Sequence, residues 1–172
     1  CGRQKLLSTT EAGEPVEVIT LDADPTVHPD IVCCLGLNPI PLPDDSVDGA
    51  IAIQVLEHIG RQGDATEWFY FWEELYRVLK PDARFEFVSP MWNSVWAWSD
   101  PSHVRVISQE CFVFFDQRAY TVKESPISPY RIRCDFVAAK FQETSKTPDG
   151  PINNIAGALI VRKPLKPWWE EL

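Results

Sequence analysis

Apolar positions along the chain follow two rhythms, and the changes between them mark the elements. Residues 16–22 are short and β-rich, end in Asp22 and are stopped by Pro25, which predicts a strand closing on a carboxylate. Residues 31–35 form a second, continuous apolar run between Asp30 and Gly36, and the loop before it holds Pro25 and Pro29. After another loop at 38–46, with Pro39, Pro41, Pro43 and the pair Asp44 and Asp45, residues 47–55 are apolar almost throughout. A strand covered on both faces reads this way, which predicts a parallel sheet sandwiched between helices.

From 64 to 79 the period becomes helical. Trp68, Trp72, Leu75 and Leu79 recur at steps of three and four, with Phe71, Tyr76 and Val78 beside them. Asp64 or Thr66 can cap the start, and Lys80-Pro81 ends the pattern. Phe69 and Tyr70 widen the apolar band, so this helix is expected to touch more than its own sheet. Residues 83–88 alternate as a strand does and stop at Ser89-Pro90; a loop at 91–101 follows, carrying Trp92, Trp96 and Trp98. Ser108 is placed to cap a short helix at 111–115 that buries Phe112 and Phe115. Strands are expected at 132–141 and 155–162, an antiparallel pair about a turn at 146–151, and an irregular tail at 166–172.

The order predicts one α/β domain over residues 1–172. Its sheet is expected to be Rossmann-like and mostly parallel, with helices on both faces and an antiparallel C-terminal hairpin. The 172 residues suffice for a real core. No apolar run is long enough to span a membrane and no signal segment is visible, so the expected location is the cytoplasm. A net charge of −9 argues against sheath-like nucleic-acid binding. The 5 cysteines are odd in number and lack a CxxC spacing, which fits neither a disulfide framework nor a zinc knuckle. His28, His58 and His103 are too scattered to nominate a metal site, so none is expected. Trp168 and Trp169 near the end suggest a covered surface, and with it a homodimer.

In a doubly wound sheet, ligands bind beyond the carboxyl ends of the strands. Gly2, Asp22, Cys34, Leu35, Gln54 and the Ser89-Pro90 pair are therefore expected to face one cleft. Gly2 lets the backbone approach a ligand, and Asp22, about twenty residues on, stands where a carboxylate can take hydrogen bonds from ribose hydroxyls.

At these residues a family resemblance becomes specific. Cys1-Gly2-Arg3-Gln4-Lys5 resembles the second half of the glycine loop of small class I methyltransferases. The segment Ile40-Pro41-Leu42-Pro43-Asp44-Asp45-Ser46-Val47-Asp48, followed by Val55-Leu56-Glu57-His58-Ile59, resembles the type 11 methyltransferases. So do Arg77-Val78-Leu79-Lys80-Pro81 and Asp100-Pro101-Ser102-His103-Val104-Arg105. The resemblance implies S-adenosylmethionine as cofactor. It sets Gly2 against the methionine part, Asp22 on the ribose, Cys34 and Leu35 beside the adenine, and Gln54 on the opposite wall. It also implies that the first strand lies before Cys1, the sequence starting inside the glycine loop.

Two departures stand out. Cys34 occupies a position where the family often carries Asp, and a thiol is a weak acceptor. Asp82 stands in place of the glycine after Lys80-Pro81. On the acceptor side, His58 and His103 are the candidate bases, with Glu57, Trp92, Asp100 and Arg105 beside them. Arg105 is expected either to grip an anionic acceptor or to pair with Asp100. The implied activity is in-line methyl transfer to a small molecule or a sugar precursor of the cell envelope; the alternative is a catalytically silent Rossmann-like binding module or partner subunit.

Overall fold

The computed structural model describes residues 16–123, 125, 127–145 and 152–170. The glycine-loop residues, Gly2 among them, and the turn at 146–151 lie outside the described residues. Among the described residues six strands occur: β1 (Leu21–Asp22), β2 (Ile31–Val32), β3 (Val47–Ile53), β4 (Leu79–Pro90), β5 (Phe136–Ser145) and β6 (Ile152–Val161). They are joined by the helix α1 (Thr66–Val78), a short helix α2 (Trp96–Ser99) and several 3-10 turns.

β1 and β2 pair in parallel as a sheet of their own, and the other strands form a sheet in the order β3-β4-β6-β5. In that second sheet β3 and β4 are parallel, whereas β6 runs antiparallel to both β4 and β5. The C-terminal hairpin forms as expected, and β6 inserts between β4 and β5. The fold is thus α/β with mixed pairing, less parallel than the apolar runs suggested.

The strand expected at 16–22 is reduced to two residues. Val16 and Ile19 are exposed, so extending the ladder would bury nothing apolar. Burial of β3 is also one-sided. Ala52 is covered, but Ile51 and Ile53 are 57% and 45% exposed. α1 packs on the face carrying Phe85, and the 3-10 turn Gln109–Phe115 packs on the same face at Phe87 and Phe141. The described residues put no helix on the opposite face, where Ile51, Ile53 and Arg84 meet solvent.

α1 forms as its periodicity predicts, with Asp64 Oδ1 accepting the Thr66 amide at 2.9 Å to start it. Its buried face centres on Trp72, which has no exposed surface and stacks on Phe115 at 4.4 Å between centroids. Phe85, Phe112 and Phe136 meet the Trp72 ring edge-on at 5.3–5.7 Å, a favoured geometry for aromatic pairs. Phe69 reaches Tyr130 at 5.1 Å, so the helix does touch more than its sheet. Gly157 lies against the Phe87 and Phe141 rings, and any Cβ there would overlap Phe87.

Three local expectations are corrected. Residues 132–135 are not strand. The Gln117 side chain donates to the carbonyls of Ile132 and Cys134, and the Asp135 carboxylate accepts the Gln117 amide, so this backbone is satisfied without a strand neighbour. The segment expected as a helix at 111–115 is a longer 3-10 turn, and the Ser108 hydroxyl bonds no backbone amide there. Trp168, in the tail, lies in a short 3-10 turn, stacks on Tyr120 at 5.6 Å and donates its indole N–H to Tyr130. The tail's Trp168 therefore has a seat within its own chain.

Arg77 anchors the proline-rich loop to α1. It reaches Glu74, Asp44 and the carbonyls of Ile40 and Leu42, while Glu74 also accepts the Ile40 amide. Close by, Arg162, whose carbonyl accepts the Tyr76 hydroxyl, pairs with both Asp116 and Asp135. No described helix is long and apolar enough to cross a membrane.

Candidate functional site

The ends of β2, β3 and β4 converge, and backbone contacts show how. Beyond β2 the chain turns at Gly36 with φ +86°, where a Cβ would lie 3.0 Å from the Glu67 carbonyl and 3.1 Å from Ile59. Only glycine fits so close an approach at that dihedral. The loop after β2 is thereby pressed against the segment that leads from β3 into α1. Beyond β4, the amides of Val104 and Arg105 both donate to the Glu57 carbonyl, at 2.9 and 3.0 Å. This joins the chain after β4 to the chain after β3.

Asp22 ends β1 and is half-buried, beside Cys33, whose amide donates to the Asp22 carbonyl at 2.9 Å. One carboxylate oxygen accepts the Asp24 amide at 2.9 Å. Cys34 and Leu35 follow β2, half-buried. Burial pushes the Cys33 thiol up, which makes it a poor nucleophile. Gln54 ends β3 with φ 54°, a left-handed conformation that an ordinary side chain adopts at a cost of about 1 kcal/mol or more. Its amide donates to Val88 at 2.7 Å and its side chain reaches Asn154 at 3.3 Å, so pairing to β4 and β6 holds the strained residue in place.

The donor set expected for S-adenosylmethionine is thus partly visible. A carboxylate able to accept from ribose hydroxyls stands at the end of β1, a thiol and an apolar Leu35 stand after β2, and a strained turn at Gln54 follows β3. These residues fit a nucleoside, and Gly2 lies outside the described residues.

On the acceptor side, Glu57 and His58 lie in a 3-10 turn directly after β3. Glu57 is 1% exposed. One of its carboxylate oxygens accepts the Ser89 hydroxyl at 2.9 Å, and the other is buried without a hydrogen-bond partner among the described residues. His58 Nδ1 faces the Ser102 carbonyl at 3.0 Å and His103 Nδ1 faces the Trp96 carbonyl at 2.9 Å. A carbonyl only accepts, so each Nδ1 carries the proton and each neutral ring offers its lone pair at Nε2. The two rings meet edge-on at 4.9 Å although they come from loops that follow different strands. Asp100 sits 3.8 Å from His103 Nε2; hydrogen bonds from the Ser102 hydroxyl and amide hold its carboxyl below the usual carboxylate range.

Arg105 does something different from either expectation. Its guanidinium donates to the carbonyls of Ile59, Arg61 and Asp64 and lies 4.5 Å over the Trp68 ring. It fastens the two loops around the histidines to the start of α1. Trp92, Trp96 and Trp98 are 54%, 53% and 70% exposed, and Trp98 donates to the Trp92 carbonyl. They form an aromatic rim over the His103 loop.

Sequence reasoning set Ser89 at the cleft but did not pair it with Glu57, and it missed Asn154, because nothing in a lone Asn announces a neighbour 100 residues away. A cavity of about 460 Å³ lies at the opposite end of the sheet, lined by Asp44, Asp45, Glu74, Arg77 and Lys163 among others. Those charges pair among themselves, Lys163 with Asp45 and Arg77 with Asp44 and Glu74, as an anchor does.

Comparison with known proteins follows the same boundaries. Residues 5–87 match the family model described as a methyltransferase domain, type 11. No curated protein matches the chain. Among solved structures, the N-methyltransferase NodS from Bradyrhizobium japonicum superposes with a TM-score of 0.53 at 10% identity, over 83% of this chain and 72% of that one. That likeness concerns the fold. An S-adenosylmethionine-dependent methyltransferase from Methanosarcina mazei gives a TM-score of 0.46 at 18% identity, over 72% of this chain and 63% of that one. A type 11 methyltransferase from Sulfolobus solfataricus gives 0.45 at 17% identity, over 76% of this chain and 59% of that one. The chain therefore spans less than two thirds of the length of either of these two proteins.

Proposed function

We propose that the chain is an S-adenosylmethionine-dependent methyltransferase of the type 11 family, whose model its residues 5–87 match, acting in the cytoplasm on a small-molecule acceptor. The observation that carries this reading is the match of residues 5–87 to the methyltransferase domain, within which Asp22 ends β1, Cys34-Leu35 follow β2 and Gln54 follows β3, with Glu57 and His58 on the next turn. Asp22 holds the ribose hydroxyls. Cys34 and Leu35 line the adenine, and the weak acceptor strength of the Cys34 thiol makes cofactor affinity modest. Gln54 forms the opposite wall.

The bound cofactor supplies an already activated methyl group, so positioning by the chain contributes much of the rate. When the acceptor is a hydroxyl or an amine, His103 or His58 receives its proton on Nε2. Both rings are pre-oriented for this by their Nδ1–H bonds to backbone carbonyls. The exposed Trp92, Trp96 and Trp98 favour a planar or sugar-like acceptor that can stack, and a sugar precursor of the cell envelope suits them.

Calorimetry with S-adenosylmethionine and S-adenosylhomocysteine tests the reading. Micromolar binding is expected, and Asp22→Ala is expected to weaken it at least tenfold, a loss of about 1.4 kcal/mol. A well-folded chain that binds neither would leave a Rossmann-like scaffold with a different task.

A further inference from the structure

The structure assigns a second chemistry to the corner after β3 and β4: we propose that Glu57, His58 and His103 form a binding site for a divalent transition-metal ion of the zinc class. One carboxylate oxygen of Glu57 and one ring nitrogen from each histidine all lie within 4.8 Å of one another. Ligands of a tetrahedral zinc ion lie roughly 3.4 Å apart, so the triangle closes by at most about 1.4 Å, within the reach of side-chain rotations. Two imidazoles and one carboxylate are a donor set that zinc takes while leaving a fourth position open.

Two further observations point to a cation. Glu57 is 1% exposed and keeps a buried carboxylate oxygen with no hydrogen-bond donor among the described residues. Such an oxygen is costly unless something positive or protic meets it. Each histidine, moreover, is set up as ligating histidines are, with the second ring nitrogen donating to a backbone carbonyl: Ser102 for His58 and Trp96 for His103. Ser89 does the same for Glu57, orienting the carboxylate through its other oxygen. The corner is braced from behind by Arg105 and by the bonds from Val104 and Arg105 to the Glu57 carbonyl. His58 is exposed, which gives an ion a way in.

The site overlaps the ring nitrogens assigned above to proton transfer, but its test does not depend on turnover. The ion and an acceptor's proton would use the same Nε2 lone pairs, so the two occupancies alternate, and metal binding is decided without any turnover.

Zn²⁺ is titrated by calorimetry into the full chain after chelator treatment. The result expected is saturation at one ion per chain, weakened at least tenfold by His103→Ala, by the exposed His58→Ala and by Glu57→Gln. Far-UV circular dichroism checks that each variant keeps its fold, and His58→Ala carries the test if Glu57→Gln does not fold. Co²⁺ in place of Zn²⁺ is expected to show tetrahedral ligand-field bands without a thiolate charge-transfer band. The proposal is overturned by the absence of saturable binding. It is equally overturned by binding that survives His58→Ala and His103→Ala but disappears in Cys33→Ser with Cys34→Ser, which would assign the metal to the thiols.

Discussion

At the scale of single residues, backbone dihedrals separate positions that serve the fold from those that serve the site. Asp82 and Gln54 both have a left-handed backbone, φ 62° and 54°. Asp82 is exposed at the excursion where β4 leaves α1, so its conformation is local punctuation. Asp82→Gly is expected to stabilise the protein by about 0.5–1 kcal/mol, read as a melting temperature higher by roughly 2–3 °C. A melting temperature unchanged or lower would show that the Asp82 side chain contributes more than its dihedral costs. Gly157 presents the reverse case. With the Phe87 and Phe141 rings beneath it, Gly157→Ala is expected to cost about 1–3 kcal/mol in urea unfolding, the usual penalty for overpacking a filled core. The repeat of Trp and Phe around α1 was plain in the sequence. The need for glycine at 157 was not, because it arises from rings on two other strands.

At the scale of elements, α1 and the proline-rich loop are held by one charged cluster and one aromatic cluster. Removing the ring at the centre of the second, Trp72→Ala, is expected to cost about 3–5 kcal/mol, visible as a large drop in the urea midpoint. In the charged cluster, Glu74 is held below the usual glutamate range mainly by its hydrogen bonds from Arg77, with the Ile40 amide adding to them against the cost of burial. Its folded value is depressed, so its contribution is present above the unfolded value near 4.5 and is lost as pH falls through the lower, folded one. Unfolding of the protein and of Glu74→Gln, followed from neutral pH down to about pH 3, is expected to show a shallower acid loss in the variant. Parallel curves would mean that other carboxylates dominate. The loop at 38–46 was legible as a loop from its prolines; that Arg77 clamps it to α1 through two carboxylates and two carbonyls was not, since Asp44 and Glu74 are ordinary surface types in sequence.

At the scale of the molecule, the site is an edge of the sheet where separate loops meet. Arg105 carries much of that meeting: burial lowers its guanidinium from the usual value, and three carbonyls and the Trp68 face receive it. Arg105→Met keeps the stem but removes the donors. It is expected to lower methyl transfer at least tenfold through kcat, by loosening the His58 and His103 loops, while cofactor affinity at Asp22 changes less than threefold. Equal losses in both would show a collapse of the whole edge.

What the sequence determined by itself is local and periodic: the α/β class, the buried stripe of α1, the strand segments to within a few residues, the antiparallel hairpin, and the acidic end of β1. Apolar spacing and turn chemistry act over a few residues, so a single chain displays them directly. Tertiary structure decided what depends on distant partners. It split the pairing into two sheets, left Ile51 and Ile53 on an open face, and gave Arg105 three backbone carbonyls to hold. It satisfied residues 132–135 with the Gln117 side chain in place of a strand. It also brought Glu57, His58 and His103 together from loops that follow different strands. No periodicity records such meetings, because they follow from where parallel strands end in space and not from the order in which residues are written.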